Sequence, residues 1–507
     1  MAQPVDDSHR QVVPRWWTMP VAASLGQLDA ATVSRQPGSP GPAAGELEEL
    51  RRDWEENRSP IYAANLIDAA LAYGLASVAE DAAAWVVANG GVSEVSIKLA
   101  KQLLSPTMID QAAVTSEPTH QQRWRAVAGH RAALRRYPRD PLLWVELARE
   151  YSALGQIEPA RRALVVAVSL APDDRYVLRC ASRFYLHARD PEHAHQILLR
   201  SSATLTDPWL MAAEIATADA RGARSKLMKV GARAVESGRF APRSISELAG
   251  AIGTVEFKSG NRKQTKRLFA RALEDPTENT LAQAGWVSRH GPSLGYADSA
   301  PRVPRAFEAN AWQAMAADDF VGAVEYSVDW LRDEPFASRP ALLGSWIAAV
   351  ALEDYETALR LVESAAVANP GDIRLTVQSL YCLASMGRVD EAAAQLPLLE
   401  TAAASGDSTF TPPAWDVLLA ADRGLLAFRN GNVEEGRAAY AGAIELAAAN
   451  RLREAGASAL INYIREEARI GEGPPVGAQE VRDVIGAFPQ SHRGAILRFL
   501  GRFLPAV

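Results

Sequence analysis

With 507 residues, 48% of them hydrophobic, the chain is long enough for several domains or for one long repeat array with a sizeable core. Its two cysteines, Cys180 and Cys382, match no metal or redox spacing, which favours a reducing compartment. The N-terminus is acidic and lacks an apolar signal sequence, and no run approaches the ~20 apolar residues of a membrane span, so we predict a soluble cytoplasmic protein without a membrane partner.

The net charge of −6 is unevenly distributed along the chain. Between His120 and Asp275 there are 27 Lys and Arg but 16 Asp and Glu, whereas the rest of the chain is acidic. A basic middle region affects which partners the protein attracts rather than its fold. The abundance of Ala and Arg favours a bacterial source.

Residues 1–45 are rich in Pro, Gly, Ser and Ala and lack helical periodicity, so we predict a mobile tail. Within this tail, Arg15 precedes Trp16 and Trp17, and two adjacent exposed tryptophans are costly in a pure linker. Two interpretations stay open: a docking motif for a partner or for the protein's own groove, and a segment that folds back onto the first helices.

From residue 46 onward the pattern is helix, short turn, helix. Residues 46–140 contain segments with an apolar face, which end at Gly90 and Gly91 or at Pro138. We predict that this region forms diverged helix pairs.

The clearest pattern lies between Pro141 and Asp174. It has the order W-x2-L-A-x2-Y, A-x3-L, A, P, and its residues are Trp144, Leu147, Ala148, Tyr151, Ala160, Leu164, Ala167 and Pro172. This order resembles the helix–turn–helix unit of the tetratricopeptide repeat (TPR), with Ala and Leu where Gly and Phe are usual.

The same 34-residue spacing recurs to about residue 450, with small residues where paired helices approach and Pro near the ends of units. We predict a first basic block at 141–284, a Gly- and Pro-rich loop or hinge at 285–303, a second block at 304–470 and capping helices at 471–507. The resemblance implies an all-α fold, an α-solenoid of TPR-like repeats wound into a right-handed superhelix.

In the family that these repeats resemble, the first helix of each pair lines a concave groove that binds another protein. Carried over to the first block, the inward positions supply cations and rings suited to an acidic segment: Arg149, Tyr176, Arg179, Arg183, His187 and Arg221. A second interpretation places these arginines in salt bridges with neighbouring glutamates such as Glu146, Glu150 and Glu214.

The inward positions of the second block are apolar and aromatic instead. They include Trp312, Ile347, Tyr381 and Phe428, which suit an amphipathic helix or the chain's own Trp16–Trp17 segment. Trp312 fits a place in the core equally well.

The sequence lacks the common motifs for phosphate, dinucleotide and metal sites: there is no phosphate-binding loop, dinucleotide motif, HExxH or CxxC. His193 and His195 lie two residues apart on a predicted helix, so they face different directions, and only a tertiary contact could add His187. We therefore predict no enzyme activity, no metal and no cofactor.

The preferred function is a non-catalytic scaffold or adaptor that binds an acidic or amphipathic segment of a partner protein in the groove. One alternative is a nucleic-acid-binding repeat protein that uses the basic middle region, where Lys263, Arg267 and Arg271 share a helix face. Another is a regulatory or sensor subunit of a multi-protein enzyme complex, with residues 285–303 as its hinge.

Overall fold

The computed structural model describes residues 15–16, 42–73, 75–104, 120–291, 294, 303–472 and 478–504. Within these ranges the chain consists of helices joined by short turns, and no β-strand is present. The chain divides between Arg221 and Gly222 into two compact units, which we call the N-terminal unit and the C-terminal unit. The predicted all-α fold of TPR-like helix pairs is confirmed.

The described part of the N-terminal unit contains these helices: α1 (Pro42–Glu56), α2 (Pro60–Tyr73), α3 (Glu80–Asn89), α4 (Glu94–Leu104), α5 (His120–Arg136), α6 (Pro141–Ala153), α7 (Ile157–Leu170), α8 (Arg175–His187), α9 (Pro191–Arg200) and α10 (Pro208–Ala220). Short 3₁₀ turns at Ala76–Ala79 and Ser202–Leu205 interrupt the series. Helix α6 packs against α7, and α8 packs against α9, as in a helix–turn–helix unit.

The described part of the C-terminal unit contains α11 (Met228–Glu236), α12 (Pro242–Lys258), α13 (Arg262–Ala272), α14 (Glu278–His290), α15 (Phe307–Ala316), α16 (Phe320–Asp333), α17 (Arg339–Ile347), α18 (Tyr355–Ala368), α19 (Ile373–Ser385), α20 (Val389–Ala393), α21 (Leu396–Ala404), α22 (Pro412–Arg429), α23 (Val433–Ala449), α24 (Arg453–Arg469), α25 (Ala478–Ala487) and α26 (Gln490–Leu500). Helices pack in consecutive pairs, α12 with α13, α15 with α16, α17 with α18 and α22 with α23.

Aspartates begin many of the repeat helices. Each accepts a hydrogen bond from a backbone N–H in the first turn, a donor that the helix itself leaves unsatisfied. These residues are Asp140, Asp174, Asp190, Asp207, Asp319, Asp354 and Asp372. A proline follows Asp140, Asp190 and Asp207 directly, at the helix position that needs no N–H. The repeat spacing therefore has a local cause in helix-start chemistry.

Glycines on first helices let the paired second helix approach closely. A Cβ atom at Gly424 on α22 would lie 2.9 Å from Cδ2 of Tyr440 on α23. Likewise, a Cβ at Gly253 on α12 would lie 3.0 Å from the Phe269 ring on α13. A large side chain on the second helix thus fills the space that the small residue leaves, which is the packing expected from the repeat pattern.

The predicted loop at 285–303 begins later in the structure, because α14 continues through Gly285 to His290. Trp286 and Val287 are buried, and this apolar burial outweighs the ~1 kcal/mol cost of a glycine inside a helix. Most of the remaining predicted loop lies outside the described residues.

The two C-terminal helices lie in different places. Helix α25 packs against α24, the neighbour expected for a capping helix. Helix α26 contacts α15 and a π-helical turn at Ala348–Leu352, which extends α17. The end of the chain therefore packs against repeats that precede it by about 150 residues in sequence.

Candidate functional site

Two of the four inward arginines of the first block lie in the protein interior. Arg149 and Arg179 are 5% and 3% exposed. Nη1 of Arg149 lies 3.5 Å from the carboxylate of Glu150, which supports the salt-bridge interpretation at this position. Arg179 instead donates a 3.4 Å hydrogen bond to the backbone oxygen of Trp209, and its guanidinium lies 4.9 Å from the centroid of the Trp209 ring.

Helices α6 and α8 bring several inward positions together. The hydroxyl of Tyr176 donates a 2.8 Å hydrogen bond to Glu146 Oε1. Burial raises the pKa of the Cys180 thiol well above its usual value, Glu146 adds to that rise, and Arg179 and Arg149 oppose it. These residues therefore form one polar cluster between the two first helices, and Cys180 is a buried thiol within it.

The other predicted residues of this face have intermediate or high exposure. Arg183 and His187 are half-buried on α8. Burial, together with Arg183 and Arg189, lowers the pKa of His187 to about 3, so its imidazole is neutral near pH 7. Arg221 is exposed after α10 and forms a 2.7 Å ion pair with Glu192.

The two histidines of the HxH sequence contact different neighbours. His193 stacks on Tyr185 with ring centroids 4.3 Å apart, whereas Nδ1 of the buried His195 lies 3.2 Å from Thr217 Oγ1. Across the described ranges, no group of three or more His, Cys, Asp or Glu residues is placed to hold a metal ion.

Trp16 is completely buried and Arg15 is 3% exposed. Burial of both residues is expected whether this segment occupies the protein's own groove or folds back onto the first helices, so both interpretations stay open. Trp17 lies outside the described residues.

The inward positions of α15 and α17 lie beneath α26. We call the residues that α26 and the turn after it contact here the docking face: Trp312, Asp318, Trp346, Val350 and Ala351. The buried His492 on α26 packs against the rings of Trp312 and Trp346, with centroids 6.0 and 5.0 Å apart and edge-to-face geometry. Trp312 thus belongs to the core and to this face at the same time, and the adjacent predicted residue Ile347 is fully buried.

Arg502 lies in the turn that follows α26 and binds the C-terminal end of α17. Its Nη1 donates a 3.2 Å hydrogen bond to the oxygen of Val350, and its Nη2 donates to the oxygen of Ala351. These carbonyls lie in the π turn at the C-terminal end of α17, where the helix dipole is negative and the backbone oxygens need donors. The Glu353 carboxylate lies 3.7 Å from Nη1 of Arg502 and adds a further negative charge.

Helix α26 is amphipathic, and its buried side is apolar, as this contact requires. Ile496, Phe499 and Leu500 are buried, whereas Leu497 is 44% exposed on the other side. A Cβ atom at Gly494 would overlap the carboxylate of the exposed Asp318, so a side chain at this position would require that carboxylate to move. The sequence indicates the apolar spacing of α26, but it contains no signal that pairs Arg502 or His492 with α17.

Tyr381 and Phe428, the remaining predicted residues of the second block, lie in the interior. The hydroxyl oxygen of Tyr381 accepts a 2.6 Å hydrogen bond from Arg465 Nη1, and burial raises the pKa of this tyrosine. Phe428 packs against Tyr440 and Tyr463, with ring centroids 6.0 and 6.1 Å apart. The structure therefore groups Trp312 and Ile347 near the docking face and places Tyr381 beside Arg465.

Comparisons with known proteins give no family match. No protein-family model matches the sequence, and no curated protein matches it. Similar solved structures include Naa15/Naa10 bound to HypK-THB, with 12% identity, 91% of this chain and 89% of that chain covered, and a TM-score of 0.26. Yeast Tom70 has 12% identity, coverages of 92% and 95% and a TM-score of 0.30. The human IFIT1 dimer with PPP-AAAA has 14% identity, coverages of 81% and 96% and a TM-score of 0.30.

None of the helices in the described ranges combines the length and the apolar character that crossing a bilayer requires.

Proposed function

We propose that this chain is a non-catalytic helical-repeat scaffold that binds a helical segment of a partner protein along the docking face. The observation that supports the proposal is the position of α26, a helix seated on the inward positions of two first helices. The cytoplasmic location and the bacterial source remain predictions from the sequence.

The contacts of α26 define the chemistry of a suitable partner helix. Apolar residues at the spacing of Ile496, Phe499 and Leu500 would fill the same space. A glycine at the position of Gly494 would leave the Asp318 side chain in place, and an arginine eight residues later would reach the carbonyls of the π turn. The partner is therefore an amphipathic helix with a basic C-terminal end.

Such a partner competes with α26, which is part of the same chain and is present at a high effective concentration. The apparent affinity for the partner is reduced in proportion to the fraction of molecules in which α26 has left the face. Partner binding through this face is thus tied to release of the C-terminal helix.

In the first block, the predicted site for an acidic segment has fewer accessible arginines than the sequence indicates. Since Arg149 and Arg179 are buried, an acidic segment would depend on the more accessible Arg183 and Arg221. A charge-reversal test there is informative at Arg221, because reversing a buried arginine would also unfold the unit.

The test uses the full-length chain and a fluorescent peptide with the sequence of residues 488–504. Replacing Arg502 with Ala removes two hydrogen bonds and an ion pair from α26. Because charge-assisted bonds to backbone oxygens contribute about 1.5–3 kcal/mol each, we expect peptide binding to increase at least tenfold over the native chain, measured by fluorescence anisotropy.

Two controls accompany the measurement. Leu497→Ala changes the exposed side of the same helix and should leave peptide binding unchanged. A peptide with Asp at the position of Phe499, which is 1% exposed, should not bind the Arg502→Ala chain, because it would bury a carboxylate without a partner. Equal binding of both peptides, or no binding by the Arg502→Ala chain, would contradict the proposal.

A further inference from the structure

A second surface of the C-terminal unit is strongly basic. Between Gly222 and Arg271 the sequence has 12 Lys and Arg but 3 Asp and Glu. Most of these cations lie on or beside α11 and α13, which are the second helices of their repeats. They are therefore separate from the docking face, which first helices form.

The three acidic residues of this stretch are already engaged. Glu236 forms a 2.6 Å ion pair with Arg267, and Glu256 forms a 3.0 Å ion pair with Arg224. Glu247 is buried and lies 3.4 Å from the hydroxyl of Thr277. Within residues 222–271, all of which the structure describes, no further carboxylate is left to neutralise the remaining cations.

We call the exposed cations that form no ion pair with a described residue the basic surface: Lys226, Lys229, Arg233, Arg239, Arg262, Lys263 and Lys266. The Arg267–Glu236 ion pair joins α13 to α11, so the cations of the two helices belong to one surface. Each helix buries its opposite side, including Val235 on α11 and Phe269 on α13.

The spacing of these cations suits a regular row of negative charges. On α11, Lys229 and Arg233 are one turn apart, with Lys226 in the turn before the helix, and on α13 Arg262 and Lys266 are one turn apart. Residues four apart on a helix are separated by about 6 Å along its axis, so each helix presents a ladder of positive charges.

The same surface lacks the features that other partners need. No aromatic residue is exposed on α11 or α13, both of which the structure describes in full, so the stacking platforms that bind single-stranded bases are absent from them. Val230 is the one large hydrophobic residue exposed on these two described helices, so they lack an apolar anchor for a peptide or a membrane as well. What remains is a broad array of Lys and Arg, which suits phosphate groups held at regular intervals.

We propose that the basic surface binds the phosphate backbone of double-stranded nucleic acid without reading its sequence. The net charge of −6 does not prevent this, because charges farther away than about 8 Å are largely screened at physiological salt. Lysine and arginine side chains displace the counterions of the duplex, and their release supplies the affinity.

The test measures binding of labelled DNA and RNA duplexes of mixed sequence to the full-length chain by fluorescence anisotropy across a salt series. The test variant carries Lys229→Glu, Lys263→Glu and Lys266→Glu. Each phosphate contact contributes about 0.9 to the slope of log affinity against log salt, so the variant should lose about 3 from the slope. At ~0.1 M salt this corresponds to an affinity loss of about a hundredfold or more.

The matched control carries Arg360→Glu, Arg451→Glu and Arg453→Glu, which change the net charge equally at exposed positions elsewhere in the same unit. It should bind duplexes as the native chain does. An equal loss in both variants would show a general charge effect and overturn the proposal, as would the absence of duplex binding by the native chain.

Two further measurements identify the chemical class of the ligand. A preference for one duplex over the other distinguishes DNA from RNA. Poly-glutamate serves as a competitor without phosphate, and complete displacement of the duplex at equal charge concentration would assign the surface to acidic proteins instead. Circular dichroism should show unchanged helix content in both variants, because all six positions are exposed.

Discussion

Two buried guanidinium groups in the C-terminal unit, those of Arg465 and Arg429, share one carboxylate. Arg465 is completely buried, and its Nε donates a 2.7 Å hydrogen bond to Glu466 Oε1. Nε of Arg429 lies 2.9 Å from the other oxygen of the same carboxylate. Desolvating a charge costs several kcal/mol per ion, and here one carboxylate compensates two guanidinium groups. Glu466 is therefore the residue on which the electrostatics of this region depend.

Replacing Glu466 with Gln should destabilise the C-terminal unit by about 3–5 kcal/mol, because both arginines would remain buried without a counter-charge. Urea unfolding followed by circular dichroism measures this loss. Glu434→Gln is the matched control, since that glutamate also pairs with an arginine, Arg437, but its side chain is 85% exposed. We expect the control to change stability by less than about 0.5 kcal/mol, and equal effects would refute the argument.

At the scale of elements, the close approach of paired helices decides which residues fit. Gly424 faces the ring of Tyr440, and a Cβ there would come within 2.9 Å of it. Gly442 lies on the paired helix α23 in open space, where an added Cβ would have no atom within 4 Å among the described residues. The two glycines therefore have opposite sensitivity to the same small substitution.

Gly424→Ala should destabilise the protein by about 1–3 kcal/mol, because an added methyl group in a packed interface displaces its neighbours. Gly442→Ala should instead stabilise it by about 0.5–1 kcal/mol, because alanine loses less backbone entropy in a helix. Thermal unfolding of the two variants beside the native chain measures both signs. A loss of stability in both would mean that close packing is not the cause.

These elements also show how far the sequence predicts the structure. Helix starts such as Asp140 and Asp174 follow local chemistry, so the repeat spacing was predictable. The burial of Arg149 and Arg179 was not, because inward-facing positions can be filled as well as open, and their partners Glu150 and Trp209 are found by packing. The contact of Arg502 with α17 joins residues about 150 apart, and no local pattern encodes such a pairing.

For the whole molecule, α26 is an exception to the rule of repeat architecture. In an array of repeats each unit contacts its neighbours, so stability is a sum of local terms. Helix α26 instead returns to α15 and the π turn and joins the hydrophobic cluster that includes Trp346 and Phe499. It is thus either a ligand held by the array or a required part of a single cooperative core.

Hydrogen exchange distinguishes a helix that is bound by the array from a helix that is a required part of one cooperative core. Phe499 is 1% exposed, and replacing it with Ala should cost about 3–5 kcal/mol of docking energy. If α26 is a bound ligand of the array, exchange should become faster in α26 and the π turn and stay unchanged in α12, α13, α22 and α23, because those pairs retain their own packing. Leu497→Ala, on the exposed side, should change neither region.

Faster exchange throughout the C-terminal unit would show instead that α26 is needed for the folding of that unit. A partner helix could then not replace α26 without unfolding the repeats.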